Sequence, residues 1–178
     1  MKKISYFTKE KIECPVCSFK FQKEEFLTGS SRLIAGELKI DLKREYIKND
    51  KYGNIYPRIY SITVCPKCYF AAFPSEFNSI PKNKKEILQN KNTKEKINTI
   101  FDNMLNFSKP RTLKEGAASY ILAMLSYEHL EKNYNPTLNQ AKSAIRAAWT
   151  FEDLEKEEPN KNYNYLQKIF LPQSCIPL

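Results

Sequence analysis

The chain has 178 residues, 42% hydrophobic and 13% aromatic, which is enough apolar material for one compact domain or a small module joined to a larger one, and too much for a chain disordered throughout. Only 4 glycines argue against a large all-β fold built on many tight turns. The uncharged apolar stretch from Gly116 to Tyr127 is too short to span a bilayer, and the opening Met1–Glu10 has no apolar run behind its lysines, so neither a membrane span nor a secretory signal is expected and a cytoplasmic location is.

The formal net charge is +9, from 29 Lys plus Arg against 20 Asp plus Glu. Such an excess raises a nucleic-acid reading. It is weakened by the choice of base: 24 of the 29 are Lys, and Asn is abundant at 15, the signature of an AT-rich coding sequence. The excess is also spread evenly, +5 over residues 1–80 and +4 over 81–178. One local cluster, Lys82, Lys84, Lys85, Lys91, Lys94 and Lys96, reads as a solvated helix surface and linker more readily than as a phosphate-tracking patch.

In chain order, Ile12 leads into Cys14-Pro15-Val16-Cys17, followed by Phe19, Phe21, Phe26 and Leu27 around the charged run Lys20 to Glu25. Leu38, Ile40 and Leu42 alternate with Lys39, Asp41 and Lys43, the pattern of a half-buried strand. Asp50 to Asn54 reads as a turn. Tyr56, Tyr60, Ile62 and Val64 suggest a further strand with Pro57 at its edge, running into Cys65-Pro66-Lys67-Cys68 and the aromatics Tyr69, Phe70 and Phe73. Tyr46, Tyr52, Tyr56 and Tyr60 are candidates to fill a thin core; interleaved with Arg44 and Arg58 they could alternatively stack on bases.

Two C-x-x-C pairs 47 residues apart point to a four-thiolate metal site made of Cys14, Cys17, Cys65 and Cys68. A C-x-x-C turn aims both sulfurs to one side of a tight loop, and proline after the first Cys fixes φ where no N–H is needed. Two such turns facing each other supply the corners of a tetrahedron. Zinc is the expected ion by ligand softness and geometry, with rubredoxin-like iron the alternative. Paired disulfides fit poorly without a secretory signal, and a thioredoxin-like redox site uses one C-x-x-C beside a βαβ pattern. Four thiolates close the shell and leave no Lewis-acid position, so the ion is expected to hold the fold, contributing on the order of 10 kcal/mol.

Beyond Pro81 the period changes. Lys84 to Asn106 is helical, in two pieces broken near residues 90–92. Ser108-Lys109-Pro110 marks the start of a helix ending near Lys132, residues 133–136 turn the chain, Leu138 to about Lys156 form the next helix, residues 157–160 turn again, and Tyr163 to Phe170 form a last helix closed by Pro172. Short connections predict antiparallel neighbours, and the alanines at 117, 118, 123, 141, 144, 147 and 148 allow close helix axes with Trp149 and Phe151 as bulk, resembling tetratricopeptide-type (TPR) pairs without a clean second repeat. His129 is expected at the surface near a helix end, Cys175 as a free thiol in the tail, and the acidic run Glu152, Asp153, Glu155, Glu157 and Glu158 as a solvated helix end. No phosphate loop, nucleophile elbow or H-E-x-x-H is present.

The Cys pairs, Ser31-Arg32-Leu33, the run Tyr60 to Ala72 and the stretch Ala141 to Leu154 with Ile145-Arg146-Ala147-Ala148-Trp149 resemble the bacterial family catalogued as domain of unknown function 2225. The resemblance covers most of the chain and implies a split four-cysteine zinc ribbon with TPR-like helices, and no defined activity. Members have Gly directly after each Cys pair, where this chain has Ser18 and Tyr69; at a left-handed backbone position each would cost about 1 kcal/mol. Members often run longer, which implies that this chain lacks a last helix. The expected fold is α+β: a small β-rich zinc-ribbon-like module over residues 1–78, packed on an antiparallel TPR-like helical module over 79–178. The expected function is non-enzymatic, a zinc-stabilised interaction module whose helices receive a protein or peptide partner. A nucleic-acid-binding ribbon is the alternative, and an enzyme or redox protein a third that would need an open metal position.

Overall fold

The computed structural model describes residues 3–29, 32–80, 93–101, 105–159 and 162–171. It is a mixture of small antiparallel strand pairs and helices, α+β as expected. β1 (Ser5–Glu13) pairs with β2 (Lys20–Phe26), β3 (Ala35–Leu38) with β4 (Arg44–Tyr46), and β5 (Thr63–Val64) with β6 (Ala71–Ala72), each an isolated two-stranded sheet. A lone hairpin is marginal in water, so all three depend on what they pack against. That support comes from α1 (Pro74–Phe77), α2 (Thr93–Ile100), α3 (Leu113–Tyr127), α4 (Pro136–Glu157) and α5 (Tyr163–Phe170).

α3 is the centre of the molecule. Its apolar and small residues bury it on nearly every side, against α4 on one flank and β5, β6 and the 3-10 turn Pro57–Tyr60 on the other. Gly116 is what allows the last contact: a Cβ there would stand 2.5 Å from Ile59 Cγ2. The helix starts on a capping box in which the Lys114 N–H donates to Thr112 Oγ1 and the Thr112 N–H to Glu115 Oε2, two of the otherwise unpaired donors of a first turn satisfied together. α3 and α4 are antiparallel: Lys114 at the start of α3 meets Glu158 just past the end of α4 at 2.8 Å, and Gln140 near the start of α4 donates to the Met124 carbonyl near the end of α3. Asn135, left-handed at φ 45°, reverses the chain between them.

One cluster of buried residues runs from Cys14 to Tyr163. Phe77 of α1 packs on Phe21 from the first hairpin at 5.9 Å and on Phe70 from the third at 5.3 Å, so one ring joins the two Cys-bearing hairpins. The end of α3 grips the third hairpin through hydrogen bonds from Ala71 N–H to Ser126 Oγ and from Phe73 N–H to Tyr127 Oη, with Tyr127 itself donating to Glu76. Phe151 of α4 stacks on Phe101, Tyr163 and Phe170, gathering α2 and α5.

Several expectations are corrected here. The alternation at 38–42 does not make a strand: β3 ends at Leu38, Ile40 is 96% exposed, and Leu42 sits at φ 65° in a turn. Pro57–Tyr60 is a 3-10 turn that opens on its proline, and of the segment from Tyr56 to Val64 only Thr63–Val64 is strand; proline suits a helical first turn better than a ladder that needs its N–H. The start signal of α3 is Thr112 with Glu115, not Ser108-Lys109-Pro110. The acidic run is not merely a solvated helix end. Lys43 is fully buried and bonds Glu152 and Asp153 at 2.9 and 2.6 Å, Arg58 bonds Asp153 at 2.9 Å, Lys39 bonds Glu152 at 2.6 Å, and Asn54 and Tyr56 donate to Glu157. These bonds clasp the segment 39–58 onto α4. Burial opposes the charged form of Glu152, but the hydrogen bonds from Lys39 and Lys43 outweigh it and hold the carboxyl down at about 2. The helical expectation over 84–92 and 102–104, the lysines at 82, 84, 85 and 91, Pro172 and Cys175 lie outside the described residues. His129 is exposed just past the end of α3, as expected.

Candidate metal centre

Each Cys pair occupies the tip of a hairpin. β1 and β2 close over residues 14–19, and β5 and β6 over residues 65–70. The two tips repeat the same backbone hydrogen bonds. Cys14 N–H donates to the Phe19 carbonyl and Ser18 N–H to the Cys14 carbonyl; Cys65 N–H donates to the Phe70 carbonyl and Tyr69 N–H to the Cys65 carbonyl. Between the two bonds of each tip the chain must turn back so that the carbonyl of Phe19 or Phe70 reaches the first Cys N–H, and the residue directly after the second Cys makes that turn left-handed: Ser18 and Tyr69 adopt φ of 55° and 61°. These are the positions where the family pattern has Gly, so the expected left-handed backbone is present. At Tyr69 the side chain offsets the strain: it is buried, its hydroxyl donates to the Leu105 carbonyl at 2.9 Å, and its ring meets Phe107 edge-on at 5.2 Å.

The tips face each other and bring all four sulfurs within 4.8 Å of one another. Cys14 Sγ lies 3.6 Å from Cys68 Sγ, and Cys17 Sγ 3.7 Å from Cys65 Sγ. Four sulfurs at about 2.3 Å from one ion stand about 3.8 Å apart at the corners of a tetrahedron, so the spacing suits a single metal ion. No disulfide joins them: all four are free thiols. Cys14 and Cys65 are fully buried, Cys17 and Cys68 half-buried. Of the residues picked out by spacing, the structure therefore brings Cys14, Cys17, Cys65 and Cys68 together.

The electrostatics of Cys14, Cys65 and Cys68 are those of neighbouring thiols competing for one charge. Cys65 and Cys68 donate to Cys14, and the backbone N–H groups of Cys17 and Val16 add to them, so the Cys14 thiol is pulled far below its usual range. The same bonds, with burial and the Cys14 charge, push the thiols of Cys65 and Cys68 up. Several thiolates at this spacing need a cation at their centre to coexist.

The other candidates fare differently. Tyr52 and Tyr60 are buried, and Phe26 lies over Tyr60 at 5.7 Å. Tyr56 and Arg58 bond Glu157 and Asp153, so most of this aromatic and basic set fills the core or the clasp. Sequence reasoning gave Glu24 no role. It is buried, accepting from Ser5 Oγ at 2.6 Å and from the Arg111 N–H, while Arg111 donates to the Ile59 carbonyl at 2.9 Å. This pins the first hairpin to the entry of α3. Phe21 and Glu24 are both buried on β2 although three residues apart, across a register shift in the hairpin, so no two-residue alternation in the sequence marks Glu24.

Among the described residues no helix is long and apolar enough to cross a membrane. No solved structure matches the chain. It is similar to a protein of Borreliella burgdorferi that carries the name "Uncharacterized protein", 97% identical over 171 residues, which make up 96% of this chain and 61% of that protein. The chain thus spans about three fifths of the length of this relative. The family model described as "Uncharacterized protein conserved in bacteria (DUF2225)" matches residues 7–171, a range that takes in both Cys-bearing hairpins and the helices α1 to α5, and the chain belongs to that family.

Proposed function

We propose that the protein is a zinc-ribbon interaction module, in which one zinc ion held by Cys14, Cys17, Cys65 and Cys68 fixes the two hairpins and the helical half receives a protein or peptide partner without catalysis. The observation that carries the metal is the pair of equivalent hairpin tips presenting four free sulfurs at tetrahedral spacing. Such a shell has no place for a reacting water, which supports a structural ion over a catalytic one. Thiolate softness and tetrahedral geometry favour zinc, and a reduced, cytoplasmic setting suits four free thiols. The hairpins share their core with α1 and α3, so holding them also holds the helices.

The partner reading rests on the helical edge. α3 and α4 form a TPR-like hairpin with α5 against α4, and Tyr165 and Ile169 stand exposed on α5, 65% and 56%. An apolar pair at four-residue spacing on an edge helix is a surface that a partner covers. Removal of the metal by a strong chelator under reducing conditions tests the metal half: near-ultraviolet circular dichroism is expected to collapse and to return on adding zinc. A spectrum unmoved by complete metal removal would overturn it. Crosslinking at an engineered Tyr165→Cys in cells tests the other half, and a residue that stays free of any crosslink would count against the partner.

A further inference from the structure

Three of the five arginines of the chain converge on one pocket. Arg44 from β4, Arg58 from the 3-10 turn and Arg146 from α4 line a space of about 290 Å³ together with Tyr46, Ser61 and Trp149. Neither an acidic residue nor a lysine lines it. In a chain whose default base is Lys, 24 to 5, this choice is not compositional. Arginine differs from lysine by its planar fork of donors, which matches the oxygens of phosphate and carboxylate two at a time.

The contacts already made leave donors over. Arg58 gives one Nη to Asp153, and its Nε is buried with no hydrogen-bond partner. Arg44 gives one Nη to the Gly36 carbonyl at 3.1 Å and is otherwise exposed. Arg146 lies over the Phe73 ring, 5.3 Å from its centroid, a cation–π contact. The aromatic wall is fixed as well: the indole Nε1 of Trp149 donates to Asp41 Oδ2 at 2.7 Å, and Asp41 in turn accepts from the Lys43 N–H. A unique tryptophan is thus held by its polar edge, half-buried, beside three cations.

We propose that this pocket binds a small organic anion, a phosphate or carboxylate carried on a flat ring, with the anion on Arg44, Arg58 and Arg146 and the ring against Trp149 and Tyr46. The volume lies at the lower end of ligand pockets, which suits a mononucleotide or an aromatic acid. The site is separate from the metal cluster, drawing on none of the four cysteines.

Trp149 reports on it directly, because the chain has no other tryptophan. The metal-loaded protein is titrated at low salt with AMP, with hippurate, with adenosine and with inorganic phosphate, following tryptophan emission. Saturable quenching by AMP or by hippurate, at least tenfold tighter than by adenosine or phosphate alone, is expected; which of the two acts names the anion as phosphate or carboxylate. Arg146→Ala and Arg44→Ala are each expected to weaken binding about tenfold or more with unchanged far-ultraviolet circular dichroism, and should one fail to fold the other decides. No saturable change with AMP or hippurate, binding of adenosine or of phosphate alone as tight as theirs, or full affinity in the folded arginine variants would each overturn the proposal.

Discussion

Replacing Lys43 by Met removes a fully buried cation and leaves its two carboxylates behind. Lys43 Nζ bonds Glu152 Oε2 at 2.9 Å and Asp153 Oδ1 at 2.6 Å with no exposure of its side chain. Breaking one side of a buried ion pair costs about 3–5 kcal/mol, because the remaining charge stays buried. Two features move the value toward the low end: Asp153 keeps Arg58 at 2.9 Å, and Glu152 keeps Lys39 and Lys156 at 2.6 and 3.1 Å. Met also fills most of the volume and retains the apolar stem contacts. Lys43→Met is therefore expected to lose about 3 kcal/mol in urea unfolding of the metal-loaded protein, with little change on raising the salt, since a buried pair is poorly screened. Lys156→Met, whose side chain is 54% exposed, is expected to lose less than about 1 kcal/mol and to become indistinguishable from the parent in salt. A Lys43→Met loss below about 1 kcal/mol, or one that salt abolishes, would show that the clasp is a surface feature and refute this reasoning.

Acid should act through the same clasp. The Glu152 carboxyl is held at about 2 in the folded chain against about 4.3 unfolded, a depressed folded value. Its contribution, at most about 3 kcal/mol and reduced by solvent screening of this half-buried carboxyl, is therefore present above pH 5 and lost as the pH falls from there toward 2; urea midpoints taken across that range are expected to fall more steeply in the parent than in Glu152→Gln. Ser18→Gly relieves a left-handed residue and is expected to raise stability by about 0.5–1 kcal/mol. Tyr69→Gly relieves the same strain yet loses a buried ring and its bond to Leu105, for a net loss of about 2–4 kcal/mol; calorimetry of the pair reads the contrast. Gly116→Ala would drive a Cβ to within 2.6 Å of Ile59 Cβ and is expected to cost about 1–3 kcal/mol, visible as a lowered Tm.

What the sequence disclosed was local, and what it concealed was distant. Two C-P-x-C turns declare their purpose within four residues, and the helices from Leu113 to Phe170 follow from apolar steps of three and four with Asn-Pro and Glu-Pro breaks. The strain at Ser18 and Tyr69 was foreseeable through the family resemblance, whose members have Gly directly after each Cys pair. The clasp was not. Lys39, Lys43 and Arg58 find partners about a hundred residues away, and no period in either segment records such a match. The same distance explains the misread strand at 38–42. Alternation there aims at no core, and the polar members, Lys39, Asp41 and Lys43, are the ones that reach α4. Glu152 and Asp153, seen alone, resembled any charged helix end.

X-ray absorption at the zinc edge, on protein purified without added metal and normalised to protein concentration, tests the central claim most directly. One zinc per chain with four sulfur neighbours at about 2.3 Å is expected. A metal-free folded protein, an ion with an oxygen or nitrogen in its first coordination sphere, or absorption at the iron edge in place of zinc would contradict it.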